Sequence, residues 1–191
     1  MKRKHVILLA VALVLAVLWT SRYIRWNNYL EENYLTTHRY FEQGENVEFG
    51  SNYIYYGAPS TTGYSLSVQG SVVKPCDEYF DEIGLVLPAY WASCQVLELT
   101  CDISCSIPEP EQLALNGFIV HGVNWVLNPI HTALNALYGN GVYLDETGTG
   151  RISIPFLISE SEIDYIPNAQ DCYLKLTAYP EIIEVRFEWP Q

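Results

Sequence analysis

Hydrophobic residues follow three patterns along this chain, and each pattern predicts a different kind of element. An unbroken apolar run extends from Val6 to Trp19 behind a basic start. Beyond residue 44, apolar and polar residues alternate in several segments, which is typical of strands with one buried face. Residues 128–139 have apolar positions at helical spacing instead. The sequence therefore predicts a membrane helix followed by a β-rich domain that contains one short helix.

The N-terminal run predicts a membrane anchor. Val6 to Ile24 is 19 residues, or about 28 Å of helix at roughly 1.5 Å per residue, close to the thickness of a bilayer core. The A-x-A pattern of small residues that a signal peptidase requires is absent after the run, and a cleaved signal peptide is the alternative. Three basic residues at positions 2–4 outweigh the two that follow the run, so we expect a cytoplasmic N-terminus and an extracytoplasmic main domain. We assign residues 1–26 to this basic end and anchor.

The main domain is predicted to span residues 44–191, behind a stalk of residues 27–43. Its clearest strand has one apolar face made by Leu97, Leu99, Cys101, Ile103, Cys105 and Ile107. Shorter alternating segments lie at residues 64–68, 123–127, 152–158, 172–178 and 183–189. In the third of these, Pro155 cannot donate a ladder hydrogen bond, so that segment is expected at a sheet edge.

The helix is predicted between residues 128 and 139. Asn128 suits the N-cap, Pro129 the first helical position and Gly139 the position after the last turn. Between them one apolar face is formed by Ile130, Ala133, Leu134 and Leu137. Such a face can lie on a sheet as a short crossover element.

About seven short strands, one helix and no β-α-β alternation predict a mostly β fold, an antiparallel sandwich. The opening Gly44-Glu45, the long alternating strand, the Pro155-Phe156 edge and the terminal corner at residues 176–180 resemble a known group of proteins. These are the uncharacterised immunoglobulin-like extracytoplasmic domains behind a single N-terminal membrane anchor in Gram-positive bacteria. The resemblance covers the chain from about Gly44 and implies an immunoglobulin-like sandwich at the cell envelope, with no assigned chemistry.

The net charge of the chain limits the classes of molecule that it can bind. The chain has 10 basic and 22 acidic residues, and five of the basic residues precede Trp26, which leaves a net charge of −17 beyond it. Such a domain repels phosphate backbones, which excludes nucleic acid as a partner. The expected partners are the lipid bilayer, through the N-terminal helix, and another envelope or surface protein.

Five cysteines in an exported domain are disulfide candidates: Cys76, Cys94, Cys101, Cys105 and Cys172. Cys101 and Cys105 lie about 13 Å apart along one strand, while a disulfide tolerates at most about 7 Å between α-carbons, so these two cannot pair. Either one could bridge to Cys172 across the sandwich, and Cys76 with Cys94 could form a local bridge around the acidic segment. The alternative is that several are small buried apolar groups.

No motif indicates catalysis, a cofactor or a metal site. The cysteines with His121 or His131 lack zinc-ligand spacing, and the acidic segment at residues 77–82 lacks the calcium-loop pattern. We therefore expect a non-enzymatic binding or interaction module, with a candidate contact surface made by Tyr53, Tyr55, Tyr56 and Tyr64. The alternative function is an envelope hydrolase or metal-dependent enzyme whose site is assembled from separated loops.

Overall fold

The chain forms two compact units, Met1–Leu35 and Thr36–Gln191. The computed structural model describes residues 17–25, 37–54, 61–108, 111–139, 141–142, 144, 148–163, 166, 171–178 and 180–190. In the first unit, residues 17–25 form helix α1, with Trp19 stacked on Tyr23 one turn later at 5.7 Å. Most of the predicted anchor lies outside the described residues. Within the described ranges, no helix combines the length and apolarity needed to cross a bilayer.

The second unit is a sandwich of two sheets. The five-stranded sheet has the order β1-β9-β8-β5-β6, and the four-stranded sheet has the order β2-β3-β4-β7. The strands are β1 (Thr37–Glu42), β2 (Val47–Glu48), β3 (Tyr64–Pro75), β4 (Gln95–Cys105), β5 (Ile119–His121), β6 (Val126–Leu127), β7 (Thr149–Ile158), β8 (Cys172–Lys175) and β9 (Glu181–Phe187). A mostly β sandwich is therefore confirmed.

Strand β1 corrects the predicted stalk. Residues 37–42 pair in parallel with β9, from Thr37 opposite Glu181 to Glu42 opposite Arg186. The domain thus begins seven or more positions before Gly44. The aromatic and polar residues of this segment gave no clear period because β1 is an edge strand whose side chains are mostly exposed.

The long predicted strand is confirmed as β4, one of the two central strands of the four-stranded sheet. It pairs antiparallel with β3 on one side and β7 on the other. Its inward face, Leu97, Leu99, Cys101, Ile103 and Cys105, packs against the five-stranded sheet. The alternating segments predicted at residues 172–178 and 183–189 are confirmed as the antiparallel pair β8 and β9, which bury Cys172, Leu174, Ile183, Val185 and Phe187 in the same core. In the segment predicted at residues 123–127, Val123 is exposed rather than inward, because it lies in the turn between β5 and β6.

A second apolar cluster lies on the outward face of the four-stranded sheet. Helix α2 (Cys76–Glu82) and helix α3 (His131–Tyr138) cover this face near one end. The second cluster consists of Cys76, Tyr79, Phe80, Cys94, Val96, Ile130 and Ala133. Val96 lies on the face of β4 opposite the predicted apolar face, yet it is fully buried because the two helices cover it.

Helix α3 begins later than its sequence predicts. Ile130, rather than Asn128, occupies the N-cap, because the backbone of residues 128–130 pairs with β7 first. Ile130 N–H donates to the Pro155 carbonyl at 2.8 Å, and Leu157 N–H donates to the Asn128 carbonyl at 3.2 Å. Gly139 ends the helix with φ +64°, a left-handed value that favours glycine. The prediction of this C-terminus is confirmed.

Strand β7 is an edge strand, as Pro155 predicts. On the side away from β4, residues 128–130 pair next to Pro155, and Tyr138 from α3 caps the neighbouring part of the edge at Ser153. The Tyr138 hydroxyl accepts a hydrogen bond from Ser153 N–H at 2.7 Å and donates one to the Ser153 carbonyl at 3.2 Å. The hydroxyl therefore satisfies backbone groups that an edge strand otherwise leaves unpaired.

Candidate functional site

A buried carboxylate on an outward sheet face marks the candidate site. Glu184 occupies an outward position of β9, between Tyr40 on β1 and Lys175 on β8. Outward residues of a sheet are normally solvated, yet Glu184 is only 6% exposed. Burial of a carboxylate is costly unless the group is hydrogen-bonded or paired. The surrounding side chains must therefore supply partners.

Two imidazoles supply them. His121 Nε2 lies 2.7 Å from Glu184 Oε1, and the ring nitrogen donates because the carboxylate oxygen can only accept. His38 Nδ1 lies 3.6 Å from the other carboxylate oxygen. The His121 side chain is 25% exposed and that of His38 is 46% exposed. The Glu184 carboxylate on β9 thus contacts side chains from both β1 and β5, although β8 lies between β9 and β5 in the sheet.

Four rings surround this carboxylate in a continuous series that we call the ring row: His38, Tyr40, Tyr173 and His121. His38 stacks on Tyr40 at 6.0 Å, Tyr40 meets Tyr173 edge to face at 6.0 Å, and Tyr173 stacks on His121 at 5.7 Å. Tyr40 is 63% exposed. Burial and the neighbouring Asp171 carboxylate raise the pKa of Tyr173, so its phenol remains a neutral hydrogen-bond donor. The result is a continuous aromatic surface with polar edges.

A separate polar network lies beside the second cluster. Lys74 Nζ contacts Glu82 at 2.7 Å and Glu98 at 2.9 Å, and Ser153 Oγ donates to Glu98. Burial lowers the pKa of Lys74, but the hydrogen bonds to Glu82 and Glu98 outweigh it and raise the pKa overall. This network joins β3, α2, β4 and β7, and we assign it a structural role.

The structure separates the residues of the predicted tyrosine surface. Tyr53 is 40% exposed, and its carbonyl accepts a hydrogen bond from Ala178 N–H at 2.8 Å. Tyr64 is only 1% exposed because it occupies an inward position of β3. It belongs to the core, so its place in the predicted contact surface is wrong. Tyr55 and Tyr56 lie outside the described residues. His131, one of the two histidines considered from the sequence, is exposed at the start of α3.

All five cysteines lie within the described residues, all are buried, and no disulfide joins any two of them in this structure. Cys101, Cys105 and Cys172 belong to the sandwich core, and Cys76 and Cys94 belong to the second cluster. Burial, then the neighbouring Cys94, raises the pKa of Cys76 to about 11. Burial, then Asp171, raises the pKa of Cys172 to about 11. In the part of the chain that the structure describes, no three His, Cys, Asp or Glu side chains are placed to hold a metal ion.

Comparison with known protein families shows which family this domain belongs to. Residues 38–182 match a family described as a domain of unknown function, DUF5028. The chain belongs to this family. The DUF5028 match begins within β1 and ends within β9, so it includes all four members of the ring row, while Glu184 lies just beyond its end.

One solved structure resembles this DUF5028 chain. It is an uncharacterised beta-sandwich protein from Clostridium difficile 630, with 7% identity and a TM-score of 0.47. The likeness covers 79% of this chain and 95% of the other. Among curated proteins, none matches the sequence.

Sequence reasoning missed most of this site. His38 and Tyr40 fall in the predicted stalk, and His121 matches no zinc-ligand spacing. Glu184 lies in the alternating segment at residues 183–189, where nothing local distinguishes it from the other polar residues. The sequence could have shown that each of these residues occupies an outward position of its strand. Only the pairing register between strands, however, brings the residues together.

Proposed function

We propose that this chain is a membrane-anchored, extracytoplasmic and non-enzymatic binding module. In this proposal the ring row on the five-stranded sheet is its recognition surface. The observation that supports it is the continuous series of four rings over a buried carboxylate, on a sheet face where solvated polar side chains are the norm. Tyrosine side chains offer large, rigid contact areas with a polar tip, which is why they are enriched at interfaces.

The membrane anchor is part of the proposal. Its support is the apolar run that precedes and enters α1, together with the character of the described helix. Leu18, Trp19, Tyr23 and Ile24 are all more than half exposed on α1. Aromatic side chains at a helix end are typical of the bilayer interface. Protease added to intact cells should degrade the domain if it is extracytoplasmic, and a domain that stays protected until the cells are lysed would contradict the location.

The recognition surface can be tested with matched tyrosine variants. Tyr40→Ala and Tyr173→Ala should reduce capture of envelope proteins that the full chain retains in crosslinked pull-downs. Tyr90→Ala is the control, because Tyr90 is 77% exposed and lies between α2 and β4, outside the ring row. Equal capture by all three variants and the native chain would contradict the proposed surface.

An envelope hydrolase is the second candidate, and the 2.7 Å contact between His121 and Glu184 favours it. A carboxylate that orients an imidazole is one part of a nucleophilic site. Among the described residues, however, no Ser, Thr or Cys side chain hydrogen-bonds to either imidazole of the ring row. Hydrolysis of chromogenic esters or peptides that disappears in His121→Ala but persists in Tyr40→Ala would support this candidate over the binding module.

A further inference from the structure

Cys76 and Cys94 lie opposite each other at one end of the four-stranded sheet. Strands β3 and β4 pair antiparallel as far as Pro75 opposite Gln95, and the next step of that ladder is Cys76 opposite Cys94. Just past the ladder, Cys76 N–H at the start of α2 donates to the Cys94 carbonyl at 3.2 Å, while Cys94 N–H donates to the Trp91 carbonyl at 3.0 Å, so one hydrogen bond holds the two cysteine backbones together. Opposed residues of an antiparallel pair have α-carbons about 4.5–5.5 Å apart, within the range of about 4.4–6.8 Å that a disulfide requires.

The two side chains also share a face. Lys74 and Val96 are opposed residues on the outward face of the sheet, and Cys76 and Cys94 pack with Val96 in the second cluster. Both belong to the second cluster, with Cys76 0% and Cys94 8% exposed. The raised pKa of Cys76, to which Cys94 contributes, is consistent with neighbouring sulfur atoms.

The remaining cysteines lack this arrangement. Cys101 and Cys105 lie four residues apart on one face of β4, and Cys172 lies on β8 in the other sheet. The structure records a backbone hydrogen bond between two cysteines only for Cys76 and Cys94, and all five are described.

We propose that Cys76 and Cys94 are joined by a disulfide bond in the mature protein, while Cys101, Cys105 and Cys172 remain thiols. The inference rests on the export included in the proposed function, because disulfides persist in oxidising compartments. The bond would tie the start of α2 to β4 and close the segment 77–93. That segment carries two exposed large hydrophobic side chains, Val86 at 92% and Tyr90 at 77%.

The oxidant is an external disulfide, supplied by a small molecule or by a thiol–disulfide oxidoreductase. One cysteine thiolate attacks that disulfide, which forms a mixed disulfide and releases the first external thiolate. The second cysteine thiolate then attacks the mixed disulfide and releases the second external thiolate. The two thiol protons pass to the released thiolates, and the two electrons reduce the oxidant. Both cysteines are buried in the fold, so we expect exchange before this segment packs.

Thiol counting on the full chain isolated from cells, with alkylation during lysis, tests the inference. The native chain, denatured without reductant, should show three reactive thiols, and five after reduction. Peptide mapping should show residues 76 and 94 in one crosslinked species that is 2 Da lighter than its reduced form. Cys172→Ala should show two reactive thiols without reductant and four after reduction. Cys94→Ala should show four reactive thiols both without reductant and after reduction.

Five reactive thiols in the native chain, or a bridge that includes residue 101, 105 or 172, would overturn the inference. The map is read on the native chain, so it does not depend on whether a variant folds. Protease accessibility on the same cells reports separately on export. A protected domain would count against the proposed location, whereas an accessible domain with five thiols would count against the disulfide alone.

Discussion

The contact between His121 and Glu184 is expected to stabilise the fold, and removing it is the most informative perturbation of the site. His121→Ala deletes the imidazole that lies 2.7 Å from a carboxylate with an 8% exposed side chain. Hydrogen bonds to charged groups contribute about 1.5–3 kcal/mol, and a buried group left without its partner costs about as much. His38 remains 3.6 Å from the other oxygen, and water can enter the vacated volume. We therefore expect a loss of about 2 kcal/mol in the free energy of unfolding.

A double-mutant cycle separates this contact from simple loss of packing. The cycle compares the native chain with His121→Ala, Glu184→Ala and the double variant. Each full chain is unfolded with urea in detergent, and tryptophan fluorescence monitors the unfolding. Interacting residues give coupling energies of about 0.5–3 kcal/mol, whereas independent sites add to within about 0.5 kcal/mol. We expect a coupling energy of about 1–2 kcal/mol. Additive losses would refute the reasoning, because they would show that Glu184 does not depend on His121.

Three further predictions concern other parts of the domain. Tyr138→Phe should lower the free energy of unfolding in urea by about 1–2 kcal/mol, because Ser153 N–H and C=O at the β7 edge lose their partner, while Tyr90→Phe should have no effect. Lys74→Ala should destabilise by about 1–3 kcal/mol because it removes the cationic partner of the largely buried Glu98 and leaves it only the Ser153 hydroxyl, whereas Arg151→Ala, which breaks an exposed pair, should cost less than about 0.5 kcal/mol. Folding raises the pKa of Cys172 from 9.0 to about 11, so its contribution to stability is present below pH 9 and is lost as the pH rises toward 11. Cys172→Ala should therefore reduce the fall in unfolding free energy between pH 9 and about 11, and an unchanged slope would contradict that assignment.

The strands that were predicted correctly are those with a clear inward face. Leu97 to Cys105 alternate without interruption because β4 is central and packs on the sandwich core along its whole length. Pro155 identified an edge strand because its missing N–H excludes a central position. These features are local, and a single sequence carries them.

The features that were missed depend on contacts between distant segments. β1 pairs in parallel with β9, near the other end of the chain, with Thr37 opposite Glu181, and an exposed edge strand has no hydrophobic period to reveal it. Val96 is buried by helices that pack on the outward face, which the alternation of β4 cannot show. The ring row requires the register of four strands at once. Secondary structure was therefore accessible from the sequence, while the candidate site was not.

The central claim is that the ring row is the surface through which this domain binds its partner. A photo-crosslinking aromatic residue placed at position 40 in intact cells tests it directly, with position 72 as the matched control. Val72 is 44% exposed on β3, in the other sheet. We expect a discrete crosslinked species from position 40 that is lost in the Tyr173→Ala background, and none from position 72. Crosslinks of equal yield from both positions, or from position 72 alone, would contradict the account.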